Sequence, residues 1–319
     1  LLGPSEGALV AMEATGHYWQ NLFAALVTAG FGVVLLNPLR TRRFAEVDLA
    51  RAKTDAIDAV AIARFAAQKR PAPAVVSETG TQELKALVRH RDGLVQAFGD
   101  GQRRLHRLID LGFPEFTRYV KDPGSRLATT ILSEYPTATA FVDLPPKRLA
   151  KLCYDGRHKV GPELAASLIA AAKVSVGAHH SEGYRVQVRH ICEELALRRR
   201  QLKELDSNIH RLLEEHEVGS LLTTIDGIGP DTAARLVAEL GDPADFKSAA
   251  ALAAYVGVVP GIKQSGKRQL ARAPIASFGH AKLRHWLWMP TLTAVRRNPW
   301  LRAFYLRLRA EGKVAKVAL

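Results

Sequence analysis

The apolar positions of this chain change period along its length. Residues 7 to 13, Gly-Ala-Leu-Val-Ala-Met-Glu, form a short unbroken apolar run ending in an acid. Residues 31 to 37, Phe-Gly-Val-Val-Leu-Leu-Asn, form a second that stops at Pro38. Such runs predict buried strands of a mostly parallel sheet. Between them Trp19, Leu22, Phe23 and Leu26 recur at helical spacing up to Gly30. A basic loop with Arg40, Arg42 and Arg43 is expected next, then a helix from about 53 to 68. Strand, helix, strand, helix predicts a right-handed parallel unit, with functional groups at the carboxyl ends of its strands. Glu13 stands at such an end.

Residues 70 to 76 are rich in Pro and Ala and read as a linker. From 81 to about 112 the period is helical, through Leu84, Leu87, Val88, Leu94, Val95, Phe98, Leu105 and Leu108. Shorter helices broken by Pro114, Pro123, Pro136, Pro145 and Pro162 follow. A long helix is expected from about 182 to 217. Its apolar positions step by four and three through Tyr184, Val188, Ile191 and Leu195, then Leu202, Leu205, Ile209 and Leu212, with Arg198 interrupting the seam. That heptad spacing suits a self-paired coiled coil. It equally suits a helix packed within its own chain, for example as an antiparallel hairpin with 81–112. Residues 221 to 233 read as helix, a tight Gly227-Ile228-Gly229 turn, and helix. Both glycines permit positive φ, and the second helix would start with bare N–H groups able to bind phosphate. This is a helix-hairpin-helix signature, with a plain αα-hairpin as the alternative. The fold expected is therefore α/β plus α, divided at 1–75, 76–217 and 218–319.

Charge narrows the partners. Lys plus Arg number 45 against 31 Asp plus Glu, giving +14 and a pI near 10.0. The cations recur in separate segments, including Arg103, Arg104 and Arg107, Arg198 to Arg200, and Lys267, Arg268 and Arg272. A broad nucleic-acid-gripping surface is the first reading and an anionic membrane surface the second. Two distant cysteines, Cys153 and Cys192, make neither a disulfide framework nor a zinc cluster. No apolar run reaches the ~20 residues that span a bilayer. With no secretory signal, a cytoplasmic protein without a membrane partner is expected. Leu1 enters straight into apolar chain, which reads as a fragment lacking its start.

Two features carry chemistry. In Lys53-Thr54-Asp55-Ala56-Ile57-Asp58-Ala59, Asp55 and Asp58 share one helix face. Paired carboxylates repel unless a cation lies between them, and oxygen donors suit Mg2+ or Mn2+. A solvated helix face is the plainer reading. Ser265 sits in Gln264-Ser265-Gly266-Lys267-Arg268, a Gly-flanked cationic loop. No adjacent His or Asp could serve as its base, so a Ser-His-Asp triad is not indicated. Surrounding cations could still favour its alkoxide attacking a phosphate. Trp286, Trp288 and Trp300 are expected in the core rather than as base-stacking platforms.

Taken in order, Met12-Glu13-Ala-Thr-Gly16, the Lys53–Ala59 segment, the Gly-Ile-Gly turn, Gly257-x-x-Pro260 with Gln264-Ser265-Gly266, Leu283-Arg284 and the Gly312–Ala318 tail resemble the DEDD transposases of insertion sequence family 110. The resemblance spans essentially the whole chain. It implies a RuvC-like (RNase H-type) domain, here truncated before its first strands, a helical coiled-coil middle and a carboxy-terminal transposase domain. By resemblance Glu13, Asp55 and Asp58 are the second, third and fourth acids of a metal tetrad holding Mg2+ or Mn2+, and Ser265 is a nucleophile that forms a transient phosphoserine link to DNA. Gly227, Gly229, Lys267, Arg268 and Arg284 would contact nucleic acid. An element-encoded guide RNA and a dimeric or tetrameric assembly, in which one protomer's acids meet another's Ser265, are further implications. The chain departs from the pattern twice. The strand bearing the first Asp is absent from these residues, and Ser277-Phe278-Gly279 replaces a Ser-Lys-x-Gly step. A metal-dependent junction nuclease and an inactive nucleic-acid-binding remnant are the competing functions.

Overall fold

The computed structural model describes residues 5–47, 54–74, 79–259, 261, 264–265, 268–269, 275 and 279–319. Asp48, Lys53, Gly266, Lys267, Arg272, Ser277 and Phe278 lie outside them. The chain divides into two compact units, Leu1–Ser77 and Glu78–Leu319.

In the first unit, strand β1 (Leu9–Glu13) pairs in parallel with β2 (Gly32–Leu36), in register from Leu9 opposite Gly32 to Glu13 opposite Leu36. Helix α1 (Trp19–Thr28) makes the crossover. The parallel unit thus forms as the apolar runs predict. β2 is the more buried strand, with Val33, Val34 and Leu36 inside, whereas none of β1 is buried. The expected basic loop is instead helix α2 (Pro38–Val47). Pro38 ends the strand and also starts this helix, because a residue without N–H is tolerated in a first turn. Asn37 caps it by accepting from the Leu39 amide at 2.8 Å. Helix α3 (Asp55–Lys69) lays Ile62 and Phe65 against Ala11, Val34, Leu36 and Phe44. Within the stretch read as a linker, the Ala74 amide donates to the Val33 carbonyl at 2.7 Å.

The second unit is built on two long helices, α4 (Thr79–Gly112) and α9 (Glu182–Glu214). Between them in sequence come α5 (Phe116–Tyr119), α6 (Arg126–Glu134), a 3-10 turn (Ala138–Ala140), α7 (Pro146–Ala150) and α8 (Pro162–Lys173). Then follow α10 (Glu217–Thr223), α11 (Pro230–Leu240), α12 (Ala249–Val256), the antiparallel pair β3 (Gln264–Ser265) and β4 (Arg268–Gln269), α13 (Ala281–Arg297), α14 (Pro299–Ala310) and α15 (Ala315–Ala318).

The heptad seam of α9 is covered from within the chain. Leu195 lies where a side chain on Gly101 would stand, Tyr184 donates to the Leu108 carbonyl at 2.7 Å, and Arg91 meets Asp206 at 2.5 Å. These pairs run in opposite directions, so α4 and α9 form the antiparallel hairpin. Tyr184, Val188, Ile191 and Leu195 share one core with Leu105, Phe113, Phe141 and Leu168. At the other end of the hairpin, Leu84, Val88, Ile209 and Leu213 bury Ala233, Ala234, Val237 and Ala238 of α11. The boundary expected at 217/218 therefore falls inside a packed unit. Among the described residues no helix is long and apolar enough to cross a membrane.

Candidate functional site

The acids come from β1 and α3. Glu13 is the last residue of β1, where the strand leaves the sheet. Its carboxylate accepts from the Thr41 hydroxyl of α2 and from the Thr15 hydroxyl at 3.3 Å. Thr41 is 3% exposed and is fixed a second way, donating to the Pro38 carbonyl at 3.0 Å. Glu13 also borders a groove of about 700 Å3 between β1 and α3, with Leu9, Ala11, Ile62 and Ala63 among its walls.

Asp55 and Asp58 occupy the first turn of α3. Thr54 caps that turn, its hydroxyl accepting from the Ile57 amide at 3.3 Å and its carbonyl from the Asp58 amide at 2.9 Å. Carboxylates there meet the positive end of the helix dipole, which eases placing two together. Both are exposed. Three carboxylates are the right donor chemistry for a hard divalent cation. As placed they do not assemble one: among the described residues no three His, Cys, Asp or Glu side chains are close enough to hold a metal.

Ser265 lies on a separate device in the second unit. It pairs with Arg268 across the β3–β4 hairpin, which rises between α12 and α13. The two ends of the segment that carries this pair, Gly257 and Gly279, meet. Gly257 ends α12 at φ +84° and Gly279 precedes α13 at φ +102°. A Cβ on Gly279 would lie 2.4 Å from the Gly257 Cα, so only glycine lets the strands cross this closely. The His280 amide donates to the Tyr255 carbonyl at 3.0 Å, and Arg284 donates to the Val256 carbonyl at 3.0 Å. Arg284, expected to contact nucleic acid, thus spends part of its guanidinium on closing α12.

His280 caps α13, its Nδ1 accepting from the Leu283 amide at 3.3 Å. That fixes the proton on Nε2, which faces the Glu239 carboxylate of α11 at 3.3 Å. The Glu239 side chain is 9% exposed and also meets Arg89 of α4 at 3.5 Å. Tyr255 donates to the Glu239 carbonyl at 3.2 Å and stacks on His280. Burial pushes the Tyr255 phenol up, and the Glu239 charge adds to this. Burial together with neighbouring Arg89 holds Lys85 below the usual lysine range, against the opposing pull of Glu239. Four helices therefore meet where the segment bearing Ser265 leaves and re-enters the fold. The sequence reading missed Glu239, His280, Tyr255 and Thr41. Gly257 and Gly279 are the only local signal for this crossing, and nothing local points to an acid on α11.

The Gly-Ile-Gly turn joins α10 to α11, and its two glycines play different parts. Gly227 has φ +98°, and a Cβ there would lie 2.6 Å from the Pro290 carbonyl of α13. Gly229 has φ −83° and uses no left-handed freedom. It is exposed, has no neighbour where a Cβ would stand, and begins α11 without a side-chain cap. The Ile228 amide donates to the Ile225 carbonyl at 2.9 Å and Pro230 has no N–H, so the open surface of this turn is at Gly229 and the first turn of α11 beyond it. Asp231 in the same first turn is held by His210 at 2.8 Å.

The tryptophans divide. Trp286 is half-buried with the Arg235 guanidinium 5.3 Å from its ring centroid, whereas Trp288 is 39% and Trp300 86% exposed. The expectation of a core position fails for Trp300, because α14 has an uncovered side where a purely apolar pattern implied a covered one.

Comparison with known proteins agrees at both ends of the chain. Residues 2–114 match a transposase family model of the IS110 DEDD type, and residues 219–306 match a model described as transposase, IS116/IS110/IS902 family. The chain is 29% identical over 300 residues to an insertion element IS110 43.6 kDa protein of Streptomyces coelicolor, covering 91% of this chain and 73% of that one. It is 28% identical over 318 residues to the IS116 44.8 kDa protein of Streptomyces clavuligerus, covering 97% and 78%. It is 25% identical over 310 residues to a pilin gene-inverting protein of Moraxella bovis, covering 96% and 73%. Since models of this one family match residues 2–114 and 219–306, and relatives of the same kind align over nearly all of the chain, it belongs to the IS110 family of transposases.

Proposed function

We propose that this chain is a DNA recombinase that cuts and rejoins strands through Ser265. The hydroxyl oxygen attacks a backbone phosphorus and gives up its proton. A P–O bond to one DNA oxygen breaks, and that oxygen leaves as a hydroxyl. The resulting phosphoserine keeps the phosphodiester energy, so a hydroxyl of another strand can reverse the step and rejoin the DNA without any other energy source. Glu13, Asp55 and Asp58 would hold Mg2+ or Mn2+, which supplies positive charge against the phosphate. Lys267, Arg268 and the open surface at Gly229 and the first turn of α11 serve as phosphate contacts. The wide distribution of cations suits a guide RNA held by its backbone alongside DNA.

One observation carries this reading: the segment bearing Ser265 is closed where its ends, Gly257 and Gly279, cross beside His280 and Glu239. A nucleophile gains most from being held in place before the reaction. Similarity to a pilin gene-inverting protein supports rearrangement rather than simple hydrolysis. The test is Ser265→Ala with end-labelled DNA, read on denaturing gels. Loss of a covalent protein–DNA adduct and of strand transfer is expected. Cleavage that persists in the variant, without adduct, would mean that water attacks and that the chain acts as a junction nuclease.

A further inference from the structure

Helix α14 buries none of its residues. It contacts α13 and α15, and Tyr305 and Leu308 on one side of it are half-buried. Trp300 and Phe304 stand four residues apart on a different face, 86% and 50% exposed. Arg307 continues that face one turn on, with its guanidinium carbon 4.9 Å from the Phe304 ring centroid. The stripe is on a firmly started helix. Asn298 accepts from the Trp300 and Leu301 amides at 3.0 and 3.2 Å, and Pro299 occupies the first turn.

The surroundings are cationic. Between residues 296 and 316 lie Arg296, Arg297, Arg302, Arg307, Arg309 and two lysines, against a single acid, Glu311. Glu311 is itself paired with Lys313 at 3.3 Å. Two occupants could cover exposed aromatics here. A second copy of the chain, joined about a twofold axis, would set this basic face against its own like, and like charges across an interface are costly. A polyanion turns the same charges favourable. Exposed aromatic rings beside arginine bind nucleic acid by stacking on bases and by cation–π contact. Bases within a duplex are already stacked on each other and offer no free face, so the match is to unpaired strands.

We infer that Trp300, Phe304 and Arg307 form a stacking platform for unpaired bases of single-stranded DNA, the form that parting of strands would expose. The inference rests on this family acting on DNA and does not depend on Ser265.

The experiment uses the full chain and fluorescence anisotropy with labelled oligothymidylate, a duplex of matched length, and oligouridylate. Trp300→Ala is expected to weaken oligothymidylate binding about tenfold while changing duplex binding less than about twofold. Phe304→Ala should give a smaller loss of the same kind, and Trp300→Phe should retain most of the affinity. The difference between wild type and Trp300→Ala should persist as salt is raised, because stacking releases no counterions. Equal losses on single strand and duplex, no loss, or a loss confined to oligouridylate would overturn the inference. A drop in molar mass by light scattering in Trp300→Ala would assign the face to a second copy instead. Thermal unfolding of the variants should match wild type, since the side chain is exposed. A failed adduct assay with a normal binding profile would sink the serine mechanism and leave this platform standing.

Discussion

The two compact units differ most in how much core stands behind their chemistry. In the second unit Phe113, Phe116, Phe141, Ile131, Leu149, Leu168 and Leu195 are fully buried in one continuous core shared by α4, α9 and the short helices between them. In the first, the core is Val34, Leu36 and Phe65, with Ala11, Phe44 and Ile62 half-buried around it. Two strands are too few to be stable without packing against helices. The acids therefore hang on a handful of contacts: the Thr41 hydroxyl on Glu13, the Thr54 cap below Asp55 and Asp58, and the Phe44–Phe65 edge contact at 5.4 Å. The segment bearing Ser265 instead leaves and re-enters the second unit at Gly257 and Gly279, where α4, α11, α12 and α13 meet. Three carboxylates that are not gathered, on a thin scaffold, and a serine-bearing segment whose ends are closed by a large core are what this difference teaches about where the chain is still adjustable.

The comparison can be broken most forcefully at the cores. Phe141→Ala should cost about 3–5 kcal/mol, because a large buried ring leaves a cavity in a tight core. Phe65→Ala should open the first unit while leaving hydrogen exchange of α4 and α9 unchanged. Amide exchange followed by mass spectrometry checks both, and equal loosening of the two units by Phe65→Ala would contradict the contrast. Next in size is Gly279→Ala. Holding alanine in a left-handed backbone costs about 1–3 kcal/mol, and here its Cβ would also meet Gly257. The chain should remain folded by circular dichroism yet lose most adduct formation, whereas a full adduct yield would show that the crossing is not needed to position Ser265.

Acid gives the smallest effect and sharpens the comparison. Amide and ring N–H donors of His158 and the Arg157 amide hold Asp155 down at about 2. Burial pushes Glu115 up, but donation from the Ser175 hydroxyl, its own amide and the Val176 amide outweighs this and holds it below its usual range. For Glu194, too, burial is outweighed, here by Arg198 and Arg104. Each group has a lower pKa folded than unfolded. The stability it adds is therefore present above the ordinary carboxylate range and is lost as pH falls through the folded value. The second unit should hold its structure down to about pH 4 and weaken below it, and Asp155→Asn should remove the local part of that response. Carboxylate titration by NMR reads this directly, and an unshifted Asp155 would refute it.

Much of the fold was legible because its causes are local. Two apolar runs bounded by Gly and Pro, separated by a helical period, led to the parallel pair that forms, and Glu13 was found at a strand end because an acid closes the first run. The placement of α2 was not legible, since Pro38 reads equally as a stop and as a first turn. Trp300 was misplaced because an apolar residue in a helix implies a covered face only when another element arrives to cover it.

The sequence by itself determined the parallel strand pair and most of the helices, their order, the cationic character of the chain and the residue types able to do phosphate chemistry. All of these follow from short-range periodicity and side-chain identity. Only the tertiary structure decided that the α9 seam closes on α4, that Gly227 meets Pro290 while Gly229 stays open, and that Glu239 and His280 pair beside the crossing of Gly257 and Gly279. Each of those depends on which distant surface a helix face finds, and such pairings are set by the packing of the whole unit, which no local window of sequence contains.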